Sequence, residues 1–440
     1  MQSIAEIVTN VQRGAMDPGA VVDACLKQIE RLEHNAADDA PSLQAWVEVY
    51  ADEARESAAQ LRERIARGGA AGPLAGVPIG VKDIFDVRGR PTRAASPLRE
   101  NHCADCDAEV VARLRAADAI ILGKTVTTQF ACFDPPPTRN PWQQGRTPGG
   151  SSSGSAAAVA TGMCLAALGS QTGGSITRPA AYCGVAGLKP AHGHLSLAGV
   201  VPVSFHLDHP GPMARTVADL AHVWFGLTGE LSATADSEPR IALLQGDGEH
   251  DSLDAWTPDG GAEAFYDCLP RLGKLPVVQL PVDWRHVREE HLTIMAVEAA
   301  AYHRDDYQRD PAQFGTCIAT LIERGLGTPA HRYADALEFR LRYRQTLRRL
   351  LSPWDALLTP AATGPAPTAE STGDPRFNAP WSMAGLPTVG LPCDWFEGLP
   401  IGVQLVSNRA ETELLGTALW CERRLGFELP ATQGPTHESN

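Results

Sequence analysis

The chain has 440 residues, with 38 Lys and Arg against 52 Asp and Glu for a formal balance of −14, and 43% of its residues are hydrophobic. That apolar fraction supplies a sizeable core and excludes a disordered chain. An acidic chain with no basic block of five or more argues against nucleic acid or an anionic membrane as its main partner. In chain order, Ser3 to Arg13 and Pro18 to Leu32 carry apolar residues at three- and four-residue steps, and Ala51 to Ala66 is rich in Ala, Arg and Glu. All three read as helices. Gly72-Pro73 ends the helical part, and Val77 to Lys82 is a short apolar run of strand type. Glu109 to Ala117 reads as a helix and Ala119 to Leu122 as a second strand. Five prolines between Pro135 and Pro148 leave a segment that is neither helix nor interior strand.

Gly149-Gly-Ser-Ser-Ser-Gly154 opens an Ala-rich stretch, and Ala156 to Leu168 reads as buried core, too short to span a membrane. Thr216 to Leu227 is helical, Thr228 to Pro239 a polar loop, Ile241 to Leu244 a strand, and Arg285 to Leu351 largely helical. Strands at Ala356 to Thr359, Thr388 to Leu391 and Ile401 to Leu405 precede a helix from Glu411 to Leu425. Alternating strands and helices make the fold class α/β, a central twisted mixed sheet covered by helices on both faces. The N-terminus has an early acid and no cationic stretch before an apolar run, so no secretory signal is expected. Ten cysteines are too sparse for a disulfide scaffold. Cys103-Ala-Asp-Cys106 has half the spacing of a zinc site, and no second half follows, so these read as ordinary thiols. A cytoplasmic protein is expected.

Two Gly/Ser elements carry the chemistry. Gly149 to Ser155 is not a phosphate loop, because no Lys follows its last glycine. Gly150-Ser-Ser152-Ser-Gly154 matches a nucleophile elbow literally, but a proline-broken loop stands where the elbow needs a strand. The second element, Gly169 to Pro179, contains Gly173-Gly174 before Ser175. Such a turn can aim consecutive N–H groups at negative charge, or be a plain turn with a chance serine. Lys82 ends an apolar strand, where burial disfavours its cation.

Taken together, Gly80-Val-Lys82-Asp83, Gly149 to Ser155, Gln171-Thr-Gly-Gly-Ser175 and Arg178 to Pro190 resemble the amidase signature family, and the likeness runs from about Ile4 to Phe427. The resemblance implies one amidase signature domain over 1–440. Its parts would be an N-terminal helical segment (1–70), a core with Lys and both Ser (75–227), a variable, largely helical substrate side (228–355), and C-terminal strands and helix (356–440). It also implies a Ser–Ser–Lys triad of Ser175 as nucleophile, Ser151 as bridge after a cis Gly150-Ser151 bond, and Lys82 as base. Thr172, Gly173 and Gly174, with Ser175, would form the oxyanion hole. No cofactor and no metal are implied.

The placement of Arg178, three residues after Ser175, looks like the malonamidase branch, in which the equivalent arginine binds a substrate carboxylate. A structural Arg is the competing reading. Gln129 and Phe130 match positions near the acyl pocket, where Phe130 also reads as core. Asp83 would hold the loop beside Lys82. The implied activity is hydrolysis of a small-molecule carboxamide, carboxylate-bearing or neutral. The alternatives are an amidotransferase A-type subunit releasing ammonia from glutamine and, outside the family, a nucleotide-binding protein. A homodimer is the default assembly.

Overall fold

The computed structural model describes residues 2–33, 42–234, 238–246 and 261–430. Residues 235–237 of the expected polar loop and 247–260 of the variable region therefore lie outside the described residues.

Among the described residues eleven strands form one sheet: β1 (Trp46–Val49), β2 (Pro78–Lys82), β3 (Ile120–Thr125), β4 (Ala166–Gln171), β5 (Ala186–Lys189), β6 (His209–Ala214), β7 (Ile241–Leu244), β8 (Val277–Val278), β9 (Ala356–Pro360), β10 (Thr388–Phe396) and β11 (Leu399–Val406). Their order is β1-β3-β2-β4-β6-β5-β10-β11-β9-β7-β8. β3, β2 and β4 run parallel, as do β9, β7 and β8, while the strands between pair antiparallel, so the sheet is mixed. Side chains alternate between faces along a strand. Because every residue of β2, β3, β4, β5, β6, β9 and β11 is buried, both faces are covered.

The helices follow their sequence signals closely. Ser3 caps the helix Ile4–Gln12 in a capping box with Glu6, and the backbone N–H of Ile4 donates to Asp219 at 2.7 Å, tying the N-terminus to the core. The expected helical stretch from Arg285 to Leu351 is three helices, Trp284–Arg309, Thr316–Leu326 and Ala330–Leu351. The run from Ala156 to Leu168 is buried throughout, but it divides into the end of the helix Ser153–Ala160 and the start of β4.

That short helix has no polar face because it lies in the middle of the molecule, with all eight residues buried. A Cβ at Gly154 would stand 2.1 Å from the Ala45 carbonyl oxygen and 2.4 Å from the Val126 nitrogen, so backbone packs directly on backbone there. β6 is the unexpected element, an interior strand containing Pro210 and Pro212. β5 pairs with it only at Met213 and Ala214, so both prolines lie beyond the stretch where a second neighbour would require their missing N–H.

Candidate active site

Lys82 ends β2 between β3 and β4, at the centre of the parallel half of the sheet. It is fully buried, and its Nζ lies 2.7 Å from Ser151 Oγ and 2.8 Å from Ser170 Oγ. Burial without a directly paired acid lowers its pKa to about 7, opposed in part by the negative charge of Asp208. The neighbouring Asp83 does not neutralise it. Asp83 accepts from Lys124 Nζ at 2.8 Å and from the Arg93 N–H, so its charge is committed to a separate buried ion pair and to the following loop.

The Gly/Ser loop looks like a linker in sequence, yet each of its serines is buried and bonded. The peptide bond between Gly150 and Ser151 is cis. Ser152 Oγ bridges the carbonyl and N–H of Ser170, Ser153 Oγ donates to the Val126 carbonyl, and Ser155 Oγ donates to the Leu168 carbonyl. These bonds stitch the loop between β3 and β4 and leave Ser151 as the member facing Lys82.

Ser175 lies in the turn between β4 and the helix Thr177–Cys183, 9% exposed. Gln171 shapes that turn. Its Oε1 accepts from the N–H groups of Ile176 (2.9 Å) and Thr177 (3.0 Å), and its Nε2 donates to Ser382 Oγ. The Thr172 carbonyl accepts from His291 Nε2 at 3.0 Å and the Gly173 carbonyl from Ser382 Oγ at 2.9 Å. In a trans peptide the C=O and the following N–H point in opposite directions. Anchoring both carbonyls outward therefore turns the N–H groups of Gly173 and Gly174 to the other side, and among the described residues these N–H groups and that of Ser175 have no acceptor. The Ser175 hydroxyl likewise makes no hydrogen bond among the described residues, to Ser151 or to any other group.

Arg178 is 2% exposed; its Nη2 donates to the Gly150 carbonyl at 2.8 Å, while Nε and Nη1 are buried without a partner among the described residues. Gln129 is committed elsewhere. Its Nε2 donates to the Gln313 carbonyl and its Oε1 accepts from the Gly315 N–H, which pins the start of the helix Thr316–Leu326. Phe130 is buried against His303 and Phe314. Sequence reasoning missed Ser170, His291, Asp208 and Ser382. Among the described residues no group of three or more His, Cys, Asp or Glu is placed to hold a metal, and no helix is long and apolar enough to cross a membrane.

A buried lysine bonded to a serine-rich loop thus lies in a mixed sheet beside a glycine turn whose N–H groups have no acceptor among the described residues. Residues 20–415 match the family described as Amidase, and the chain belongs to the amidase signature family. It is 35% identical to the A-type chain of the glutamyl-tRNA(Gln) amidotransferase of Anaeromyxobacter sp. (strain K), over 98% of each chain. It superposes with TM-score 0.87 and 31% identity on a chain from an unexpected vestigial protein complex bearing on the evolutionary origins of an s-triazine catabolic enzyme, covering 98% of this chain and 100% of that one. The native peptide amidase of Stenotrophomonas maltophilia gives a TM-score of 0.79 at 26% identity, covering 100% of this chain and 99% of that one.

Proposed function

We propose that the protein cleaves a carboxamide by covalent serine catalysis, with Ser175 as nucleophile, Ser151 as relay and Lys82 as base. The observation that carries this reading is the fully buried Lys82 amine, its pKa lowered to about 7, in contact with Ser151. A neutral amine has a lone pair, so the Ser151 hydroxyl can donate to it and in turn take the proton of Ser175. Substrate entry must bring the Ser175 and Ser151 hydroxyls into hydrogen-bond contact, as such bonds often tighten only in the reacting complex.

Ser175 Oγ then bonds to the amide carbon while its proton passes through Ser151 to Lys82. The oxyanion is met by the N–H groups of Thr172, Gly173, Gly174 and Ser175, donors worth about 3–4 kcal/mol each when critical. The C–N bond breaks as the nitrogen takes the relayed proton and leaves as ammonia or an amine. Water, deprotonated along the same relay, then attacks the acyl ester to give the carboxylate and free Ser175.

The unpartnered Nε and Nη1 of Arg178 leave buried charged donors free, which supports a substrate with a carboxylate. A second reading is favoured by the curated relatives. Those at 31–35% identity over more than nine-tenths of the chain are the A-type chains of glutamyl-tRNA(Gln) amidotransferases, and they support glutamine-dependent ammonia release within a complex over a free-standing amidase. Arg178 fits both readings, because glutamine also carries a carboxylate.

Ammonia release by the purified chain, without ATP or partner, from amides varied in size and in a terminal acid supports the first reading. Release from glutamine only when partner subunits are added supports the second. Ser175→Ala is expected to abolish either activity, and full activity in that variant overturns both. Arg178→Ala is expected to depress acid-bearing amides far more than neutral ones; an equal loss makes the arginine structural.

A further inference from the structure

Outside the proposed triad, one buried carboxylate touches the Ser175 turn and acts electrostatically on Lys82. Asp208 immediately precedes β6 and is 6% exposed. Its Oδ1 accepts from the Thr172 hydroxyl at 2.5 Å, and its Oδ2 accepts from the N–H groups of Val203 (2.8 Å) and Ser204 (3.0 Å). Among the described residues no cation bonds it directly. The ionisable groups facing it come from three directions: Lys82 on β2, the Cys132 thiol from the segment after β3, and Glu298 on the helix Trp284–Arg309.

Glu298 is itself held by Ser204, His206 and Tyr333. His291, two turns earlier on the same helix, donates to the Thr172 carbonyl. Thr172 is thus gripped at its carbonyl by a histidine and at its hydroxyl by Asp208.

We propose that Asp208 is a positioning residue that orients Thr172 in the oxyanion turn and, through its negative charge, sets the pH at which Lys82 releases its proton and Ser175 becomes reactive. This rests on the catalytic roles proposed above. Burial raises the pKa of Asp208 to about 6, so the carboxylate is ionised where Lys82 titrates, near 7. Lys82 bonds Ser170, which pairs with Pro210 two residues along the chain from Asp208, and a negative charge so placed favours the ammonium, so removing it must move Lys82 to lower pH.

The variant that isolates the charge is Asp208→Asn. Its oxygen can still accept the Val203 and Ser204 N–H groups, and its amide can donate to the Thr172 oxygen. The readout is labelling of Ser175 by a fluorophosphonate probe. In this reaction the Ser175 Oγ–P bond forms, the P–F bond breaks, fluoride leaves, and the serine proton passes through Ser151 to Lys82. Labelling of the wild-type protein is expected to rise with pH as Lys82 becomes neutral.

In Asp208→Asn the midpoint of that rise is expected roughly one pH unit lower. Thr172→Val, which deletes the hydroxyl but keeps the shape, is expected to label about tenfold more slowly, the equivalent of one lost hydrogen bond, with Thr172→Ser near the wild-type rate. An unshifted midpoint in Asp208→Asn overturns the inference. If that variant does not fold, a wild-type rate in Thr172→Val does so instead. Failure of the wild-type protein to label at Ser175 would instead remove the catalytic reading on which the inference stands.

Discussion

Gln171 offers the sharpest perturbation of the architecture that holds Ser175. It is fully buried, and truncation to Ala strips the acceptor from the Ile176 and Thr177 N–H groups and the donor from Ser382. The Thr177 hydroxyl keeps its bond from Asn378, and Ser382 keeps its bond to the Gly173 carbonyl, so these two groups add little. The two backbone N–H groups belong to fully buried residues, and an orphaned buried donor costs about 1–3 kcal/mol. The sum is about 2–6 kcal/mol, centred near 4, before any charge for the vacated side-chain volume.

Hydrogen–deuterium exchange across 171–183, read by mass spectrometry, reports this local opening directly. At about 1.4 kcal/mol per decade, Gln171→Ala is expected to exchange some thousandfold faster there. Gln171→Glu keeps an acceptor at the start of the helix Thr177–Cys183, where negative charge is favoured, and should recover most of the protection. Equal exchange in Gln171→Ala and the wild-type protein, or no difference between the Ala and Glu variants, would refute the reasoning.

Gly154→Ala is expected to destabilise the protein by about 3 kcal/mol, since the new methyl would meet two backbone atoms that no side-chain rotation can move; a wild-type melting temperature would contradict this. Lys124→Met leaves Asp83 buried without its cation and is expected to cost about 3–5 kcal/mol in urea denaturation, with the Asp83→Asn/Lys124→Met double variant recovering most of the loss. A neutral single variant would show that the pair does not matter.

Helices with a clear apolar stripe, such as Ile4–Gln12 and Pro18–Glu33, were legible within a residue or two because one face is core and the other solvent. The centre of the molecule gave no such contrast. β4, β5 and β6 are buried on both faces, so alternation vanishes, and β6 carries two prolines that ordinarily argue against an interior strand. Lys82, Ser151 and Ser175, the proposed triad, stand out in the sequence because their glycine-rich surroundings form a dense motif.

The groups that hold them were not. His291 reaches the turn from the variable helical region, and Ser382 from the C-terminal part, so only the folded chain brings them together. Gln129 shows how a motif position can carry a structural bond that the sequence does not display. It stands at a position resembling a pocket residue, but both ends of its amide are used to hold the backbone at Gln313 and Gly315.

The claim on which the mechanism depends is that Lys82 is uncharged at working pH, and its titration can be followed directly. The chain has only five lysines, so carbon-13 labelling at the lysine side chains gives few signals. Lys82→Met and Lys189→Met would assign the two whose burial places both near 7. The Lys82 signal is expected to titrate with a midpoint near 7, and at lower pH in Asp208→Asn. A Lys82 side chain that stays fully protonated up to about pH 10, the range of a solvated lysine, would contradict it.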